Sequence, residues 1–251
     1  ITDIPRIDVL AQLTSDISCF GASDGAFTFT GSDFVSTFSY TVENSAGTTI
    51  QSQNTSSVTT AIAVNSVSAD TYTITVTDDT TNCTSTNTIT ISAPPAALDF
   101  TFTNTPETCI ENATITIAAT DGWGSYEYQL ENTVGPVMVY PYQGSNIFTN
   151  VPAGTYTIYV RDAGGCIVTR SITIDPAETP TIAFDSSSDL CYDSTNGASL
   201  VISVTDGVAP YSYRLNGGAF ITATGNPFTI SSLNPGNYTI EVTDAFGCVS
   251  N

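Results

Sequence analysis

The chain has 251 residues, of which 24 are acidic and four are basic, and its formal net charge is -20. It contains neither histidine nor lysine, which excludes Ser-His-Asp and Cys-His catalytic sites, Schiff bases and P-loops. Phosphate binding depends on lysine and arginine, so no nucleic-acid partner is expected. No apolar run approaches the roughly 20 residues that direct membrane insertion requires.

The order of elements along the chain predicts a tandem repeat. The opening ITDIPRIDVL resembles the linkers ITISAPPAALDF and ITIDPAETPTIAF, so residues 1–4 are interpreted as the tail strand of a preceding repeat. Repeat 1 then covers residues 5–94, repeat 2 residues 95–177, and repeat 3 residues 178–251 with its last strand missing. We therefore interpret the chain as a window from a longer array.

Each repeat contains similar strands in the same order. Repeat 1 has GAFTFTG, FSYTV and the hairpin strand DTYTITVTD; repeat 2 has ATITIAATDG, YEYQL and GTYTIYVRD; repeat 3 has ASLVISVTDG, YSYRL and GNYTIEVTD. About seven short alternating strands per repeat, separated by Gly, Asn, Asp or Pro turns, are typical of immunoglobulin-like domains. The predicted fold class is all-β: a tandem array of three immunoglobulin-like antiparallel β-sandwich domains with one disulfide each.

A tyrosine opens the hairpin strand of every repeat, in VSADTY, VPAGTY and LNPGNY. A hydrophobic residue, a tight turn and then a tyrosine at a strand start resemble a tyrosine corner, in which the phenol binds the backbone upstream. The predicted corner residues are Tyr72, Tyr156 and Tyr238. The alternative is that they are ordinary core tyrosines, which is also a structural role.

Six cysteines are distributed two per repeat, one before the second strand and one after the hairpin strand. Their regular spacing, without histidine or a Cys-x-x-Cys pair, predicts disulfides and an oxidising compartment rather than a metal site. The predicted pairs lie within repeats: Cys19–Cys83, Cys109–Cys166 and Cys191–Cys248. The alternative joins neighbouring repeats into a locked rod, through Cys83–Cys109 and Cys166–Cys191.

The acidic residues do not indicate an enzyme. Asp78 with Asp79, or Glu127 with Glu131, could supply the paired carboxylates of acid/base catalysis. An aspartate follows the hairpin strand in every repeat, however, and this favours a role in capping turns. We therefore expect no catalytic residues.

Acidic residues also gather near the second linker, where Asp175 and Glu178 could approach Asp185 or Asp206. Calcium needs several oxygen ligands close together, and no D-x-D-x-D-G loop occurs. Solvated surface charge is the favoured interpretation. No cofactor is expected, and loosely bound calcium is the alternative.

Repeat 2 carries aromatic residues without counterparts in the other repeats: Trp123 in DGWGSY, and Tyr140 with Tyr142 in VMVYPYQG. Exposed aromatic rings can stack on sugars, so these three residues are the predicted ligand candidates, with surface polysaccharide as the partner. The alternative is that their side chains pack locally or against a neighbouring repeat.

The chain shows, in order, Cys, Asp-Gly, an alternating strand, Gly-x-x-Pro-Tyr-x-Tyr and finally Leu-x-x-Gly-x-Tyr-x-Ile-x-Val-x-Asp-x-x-Gly-Cys. This pattern resembles the SprB-type repeat of flavobacterial giant cell-surface gliding adhesins. DGVAPYSYRL and LNPGNYTIEVTDAFGC in repeat 3 match it best. DGWGSYEYQL in repeat 2 lacks the proline of the pattern, and repeat 1 lacks its Gly-Cys ending. The resemblance implies an extracellular filament attached to the outer membrane, exported by type IX secretion and used in adhesion or gliding motility.

On this interpretation the chain is a disulfide-stapled stalk whose partners are the neighbouring repeats of the same chain. The alternative function is a carbohydrate-binding module with its aromatic site in repeat 2. In such bacteria the short patterns DTT and DST also mark candidates for O-glycosylation, at Thr80 and Ser194.

Overall fold

The computed structural model describes residues 6–57, 60–133 and 139–250, so the tail strand predicted for residues 1–4 lies outside the described residues. The described residues form twenty β-strands and no helix, which confirms the all-β prediction. Within these three ranges there is accordingly no helix with the length and apolarity to cross a membrane.

Alternating residues of high β-propensity, separated by Gly, Asn, Asp and Pro turns, form the strands. Repeat 1 contributes β1 (Asp8–Ser15), β2 (Gly25–Ser32), β3 (Phe38–Glu43), β4 (Thr49–Ser56), β5 (Ile62–Val67), β6 (Asp70–Asp78) and β7 (Thr84–Ile91). Repeat 2 contributes β8 (Asp99–Asn104), β9 (Ala113–Thr120), β10 (Glu127–Asn132), β11 (Val139–Gln143), β12 (Ile147–Val151), β13 (Gly154–Arg161) and β14 (Ile167–Ile174). Repeat 3 contributes β15 (Thr181–Phe184), β16 (Ala198–Thr205), β17 (Ser212–Leu215), β18 (Ile221–Thr222), β19 (Phe228–Leu233) and β20 (Ile240–Thr243).

The same pair of sheets recurs in each repeat. In repeat 1, β1-β2-β5 form one sheet and β4-β3-β6-β7 form the other. The corresponding sheets are β8-β9-β12 and β11-β10-β13-β14 in repeat 2, and β15-β16-β19 and β18-β17-β20 in repeat 3. These antiparallel sheets are those of immunoglobulin-like β-sandwiches, as predicted.

The chain divides into two compact units, and repeat 2 contributes to both. Unit 1 contains the chain up to Thr101 together with Ala118–Tyr128 and Tyr159–Thr169. Unit 2 contains Phe102–Ile117, Gln129–Ile158 and the residues from Arg170 onwards.

Period-two alternation along the hairpin strand determines which of its side chains enter the core of unit 1. In β6 the side chains of Tyr72, Ile74 and Val76 are buried, whereas the intervening threonines point to the opposite face. Tyr72 packs against Phe27 of β2, with ring centroids 5.5 Å apart. The hydrophobic pattern of the sequence therefore determines which face of each strand is buried.

The core of unit 2 is built in the same way. Phe228 of β19 is buried and stacks on Tyr213 of β17, with ring centroids 4.9 Å apart. The hairpin strand of repeat 3 is shorter than predicted, because β20 begins at Ile240 and Tyr238 lies just before it. Among the named strands β20 pairs with β17, and beyond the cysteine turn Val249 forms an antiparallel bridge to Thr243, at the end of β20.

Candidate functional site at the cysteine turns

Each hairpin strand leads into a buried aspartate, which is Asp78, Asp162 or Asp244. Asp78 Oδ2 accepts the backbone N–H of Val35 at 2.8 Å, and Oδ1 accepts those of Thr80 and Thr81 at 2.8 and 2.9 Å. These donors, with Val35 the strongest contributor, hold the pKa of Asp78 below its usual value. The carboxylate therefore ties the turn after β6 to the segment before β3.

The other two repeats use their aspartates in the same way. Asp162 accepts the backbone N–H groups of Trp123 and Cys166, both at 2.9 Å. Asp244 accepts those of Val208 at 2.9 Å and Cys248 at 2.8 Å. We call residues 78–83, 162–166 and 244–248, which carry the second cysteine of each repeat, the cysteine turns.

The residue before the cysteine has a left-handed backbone in all three turns. Its φ is 59° at Asn82, 84° at Gly165 and 73° at Gly247. Glycine adopts this conformation without steric cost, and asparagine is among the side-chain-bearing residues that tolerate it best. The Gly-Cys ending of repeats 2 and 3 can therefore be replaced by Asn-Cys in repeat 1.

Two disulfides join successive repeats. Cys19 of repeat 1 is bonded to Cys166 of repeat 2 within unit 1, with Cα atoms 5.4 Å apart. Cys109 of repeat 2 is bonded to Cys248 of repeat 3 within unit 2, with Cα atoms 5.0 Å apart. In both cases the first cysteine of one repeat is bonded to the cysteine turn of the next repeat. We call these sites the first joint and the second joint.

The pairing predicted within repeats is wrong, and so is its alternative between neighbouring repeats. All six cysteines are described, and none of the expected bonds occurs: Cys19–Cys83, Cys109–Cys166, Cys191–Cys248, Cys83–Cys109 or Cys166–Cys191. Cys83 and Cys191 are free and exposed. The prediction of one disulfide per domain is therefore replaced by one disulfide per joint.

Repeat 1 shows the physical reason for this error. Cys19 lies near the start of β6. The backbone N–H of Ile17 donates to the carbonyl of Ser92, which directly follows β7, and the end of β7 pairs with the start of β6. Cys83 lies beyond the opposite end of β6, a strand of nine residues. At about 3.3 Å per residue the two cysteines are roughly 30 Å apart, whereas a disulfide needs Cα atoms within about 7 Å.

The first joint is closed by a tryptophan as well as by its disulfide. The indole Nε1 of Trp123 donates a hydrogen bond to the carbonyl oxygen of Ile17 at 3.0 Å. Gly164 lies so close to the Trp123 ring and to the carbonyl of Ser18 that a Cβ atom would collide with both. The joint therefore combines a covalent bond, an indole hydrogen bond and a close approach that requires glycine.

The second joint has the same plan with different side chains. The backbone N–H of Cys109 donates to the carbonyl oxygen of Phe246 at 3.1 Å. The side chain of Ile110 lies against Gly247, where a Cβ atom would collide with it. Val208 takes the position that Trp123 has in the first joint, so no indole hydrogen bond is formed there. The disulfide is thus the shared feature. Each joint also has a glycine in close contact, but Gly164 lies two residues before its cysteine and Gly247 one residue before.

The three predicted corner tyrosines make equivalent hydrogen bonds. The hydroxyl of Tyr72 donates to the carbonyl of Ser68 at 2.8 Å, and that of Tyr156 donates to the carbonyl of Pro152 at 2.8 Å. The hydroxyl of Tyr238 bonds in the same way four residues upstream, at 3.0 Å. A hydrogen bond of this kind is the defining feature of a tyrosine corner. Burial raises the pKa of Tyr72 and of Tyr156, so these hydroxyls stay protonated donors.

The aromatic ligand candidates are used within the fold. Trp123 belongs to unit 1 and closes the first joint, whereas Tyr140 and Tyr142 belong to unit 2. Tyr140 is half-buried, and its ring lies edge-on to Phe148 with centroids 5.8 Å apart. Tyr142 is also half-buried. These contacts fit local packing and packing against a neighbouring repeat, and do not favour a sugar-binding platform.

The acidic pairs considered for catalysis also have structural partners. Asp78 is buried in its turn, and Asp79 Oδ2 accepts the hydroxyl of Thr37 at 2.8 Å. Glu127 forms an ion pair with Arg161, whose Nε donates to it at 3.1 Å. These contacts agree with a structural role for the carboxylates.

The remaining candidates from the sequence are a calcium site and two O-glycosylation sites. Across the described ranges, no group of three or more Asp, Glu or Cys side chains is arranged to hold a metal ion. Thr80 and Ser194 are both exposed, and each lies in a turn capped by an aspartate. O-glycosylation at these two residues stays a prediction.

Sequence reasoning missed Gly164 and Ile110 as joint residues. A signal was nevertheless present at the second joint, because a large apolar residue directly follows the first cysteine of every repeat: Phe20, Ile110 and Tyr192. At the first joint the only hint was the Gly-Gly pair before Cys166. Neither signal indicates which cysteine lies opposite.

Comparison with known proteins identifies the repeat in two segments. Residues 101–135 and 183–220 match the family model described as SprB repeat. Both segments contain the first cysteine, the following strand and the Tyr-x-Tyr strand of their repeat. No curated protein matches the chain.

Several solved structures resemble the chain weakly. They include Dpr2 Ig1-Ig2 in complex with DIP-Theta Ig1-Ig3, with 9% identity, 96% of this chain and 97% of that chain covered, and a TM-score of 0.34. A tetra-tandem repeat in the extending region of a large adhesion protein has 20% identity, coverage of 97% and 72%, and a TM-score of 0.29. The chicken CNTN1 FN1-FN3 domains have 14% identity, coverage of 98% and 95%, and a TM-score of 0.31. These likenesses are too low to bear on function.

The family match agrees with the motifs in both segments and confirms the resemblance predicted from the sequence. In repeats 2 and 3, residues 101–135 and 183–220 match the SprB repeat.

Proposed function

We propose that the chain is a structural segment of an extracellular bacterial surface adhesin, in which successive repeats form a disulfide-locked stalk. The observation that carries this proposal is the bonding of each joint: Cys19 to Cys166, and Cys109 to Cys248. The SprB repeat segments support it, because repeats of this kind build cell-surface adhesins.

The joints have a mechanical consequence. The loops closed by the two disulfides overlap, so every peptide bond between Cys19 and Cys248 lies inside at least one closed loop. Two covalent paths therefore lead from Cys19 to Cys248 and share tension applied along the chain. One follows residues 19–109 and the second disulfide, and the other follows the first disulfide and residues 166–248. A filament that holds a distal region away from a cell benefits from such sharing.

The chemistry of the chain is consistent with an extracellular position. Disulfides persist in oxidising compartments and are rare in the cytosol. A net charge of -20 keeps neighbouring molecules apart in solution. Attachment to the outer membrane, export by type IX secretion and a role in gliding are the finer parts of the proposal. We propose no cofactor and no catalytic step, and the partners are the neighbouring repeats.

Labelling of intact source bacteria tests the proposal. An antibody raised against the purified chain should label intact cells, and brief protease treatment of the cells should remove the label. Deletion of the coding region should reduce attachment to glass under flow. Labelling that appears only after permeabilisation would overturn the surface location, and unchanged attachment would overturn the adhesive role.

Gliding is measured separately on the same deletion strain. Slower movement of viable cells that still display their other surface proteins supports the gliding role. Normal gliding together with reduced attachment would restrict the function to adhesion.

A further inference from the structure

The two cysteines left outside the joints are of complementary types. Cys83 lies in a cysteine turn, like the bonded Cys166 and Cys248, whereas Cys191 is the first cysteine of its repeat, like the bonded Cys19 and Cys109. Each joint uses one cysteine of each type, in a fixed direction along the chain. Cys83 and Cys191 are thus the unused halves of the same kind of bond.

We propose that Cys191 forms a third joint, by a disulfide to the cysteine turn of another SprB-like repeat. Cys83 forms the complementary bond, to the first cysteine of another such repeat. The same two positions are bonded in both joints of this chain, which is the independent observation that carries the proposal. The inference rests on the proposed role in a repeat array.

The surface beside Cys191 resembles the surface beside the bonded Cys109. Tyr192 follows Cys191 as Ile110 follows Cys109, and both side chains are largely exposed, Tyr192 to 49% and Ile110 to 77%. Leu190, Tyr192 and Phe184 line an apolar groove of about 710 Å³. In repeat 2, Cys109 and Ile110 likewise line a cavity, of about 640 Å³.

The cysteine turn of repeat 1 is preformed for the complementary role. Asp78 organises it through backbone N–H groups, as Asp162 and Asp244 organise the two turns that are bonded. Asn82 has the left-handed backbone of Gly165 and Gly247. The turn of repeat 1 therefore shares with the bonded turns the aspartate anchor and the left-handed residue before the cysteine. It is one residue longer, and the N–H of Cys83 donates to Thr81 Oγ1 at 3.3 Å, whereas the N–H groups of Cys166 and Cys248 donate to their aspartates.

A fusion of two copies of the chain end to end offers the same register for a test. In that fusion the separation between Cys191 of the first copy and Cys83 of the second falls between the 139 and 147 residues of the existing pairs.

Bond formation is an ordinary thiol oxidation. Two thiols lose two protons and two electrons as the sulfur–sulfur bond forms, and a small-molecule disulfide such as oxidised glutathione accepts them to become two thiols. Once formed, the third joint would extend the two parallel covalent paths from one copy of the chain into the next.

Two matched fusions of the whole chain test this proposal. Each contains two copies joined end to end and each retains two of the four unpaired thiols. The inner-pair fusion carries Cys83→Ser in the first copy and Cys191→Ser in the second. The outer-pair fusion carries Cys191→Ser in the first copy and Cys83→Ser in the second. Both are oxidised with glutathione, alkylated without reduction and analysed by peptide mapping, with monomeric size checked by light scattering.

We expect no reactive thiol and a Cys191–Cys83 linked peptide in the inner-pair fusion, and two reactive or glutathione-capped cysteines in the outer-pair fusion. Two unlinked cysteines in the inner-pair fusion would overturn the proposal. Equal linkage in both fusions would also overturn it, because the bond would then have no direction along the chain. Either result leaves the surface-labelling and attachment tests of the adhesin function unaffected.

Discussion

Cys19 and Cys166 are bonded to each other across a sequence separation of 147 residues, and the bond lies within one compact unit. The unit combines repeat 1 with the part of repeat 2 that carries Cys166. The second joint repeats this relationship at a separation of 139 residues. The covalently stabilised element of this protein is therefore the joint between two repeats, and each single repeat contributes half of it.

Cleavage of the second linker distinguishes joints from independent domains. A specific protease site inserted between Glu178 and Thr179 lies inside the loop closed by Cys109 and Cys248. We expect the two fragments to stay together in non-reducing electrophoresis and to separate on reduction. With Cys109→Ser and Cys248→Ser as the control pair, they should separate without reductant. Release of repeat 3 from the protein with all its cysteines would show that the pairing lies within repeats.

The indole of Trp123 should contribute measurably to stability. Trp123→Phe removes the hydrogen bond to Ile17 and is expected to lower the free energy of unfolding of unit 1 by about 1 kcal/mol. Trp123→Ala also removes the packing of the ring and should cost roughly 2 kcal/mol or more. Denaturant unfolding measures both, with the exposed Leu10→Ala as a control that should change stability by less than about 0.5 kcal/mol. Wild-type stability of Trp123→Ala would mean that the ring does not close the joint.

Gly164 should tolerate no side chain. A Cβ at this position would collide with the carbonyl of Ser18 and the ring of Trp123, so Gly164→Ala is expected to destabilise unit 1 by about 1–3 kcal/mol. Gly236→Ala is the matched control, because a Cβ there meets open space. Thermal unfolding of both variants, with peptide mapping of Cys19 and Cys166, gives the comparison. The prediction fails if the two variants unfold alike.

Protonation of Asp78 should account for part of the stability that unit 1 loses in acid. The pKa of this carboxyl is lowered in the folded state, chiefly by the N–H of Val35, so the unfolded chain takes up the proton first. The stabilisation by ionised Asp78 is complete at pH values above the ordinary aspartate pKa of 3.8. It is lost as the pH falls through the lower pKa of the folded state. Asp24 and Asp70 have lowered pKa values as well, so one substitution reduces the pH dependence without abolishing it.

Unfolding midpoints measured from about pH 7 to about pH 2 test this assignment, on the wild-type protein and on Asp78→Asn. The variant should be less stable at neutral pH and should lose less stability on acidification. Curves that stay parallel over the whole range would show that the carboxylate is not responsible.

Much of the architecture follows from local patterns in the sequence. Alternation of apolar and threonine residues in the hairpin strand predicts the buried face of β6, and Tyr72, Ile74 and Val76 are buried as expected. The Gly, Asn and Asp residues between strands predict the turns, because these residues accept a positive φ most readily. The motifs common to repeats 2 and 3 predict the SprB relationship that the family match confirms.

The all-β fold, the repeated order of strands and the presence of disulfides can therefore be predicted from sequence patterns, because they depend on neighbouring residues, on period-two alternation and on the cysteine content. The expectation that all six cysteines are bonded is wrong, since Cys83 and Cys191 are free. The bonded cysteine partners, and the hydrogen bond of Trp123 across the first joint, become clear from the three-dimensional arrangement of the strands. A disulfide requires Cα atoms within about 7 Å, and that distance depends on the order of strands in the sheets. Because β6 separates Cys19 from Cys83 along its full length, the regular spacing of cysteines in the sequence predicted the wrong partners.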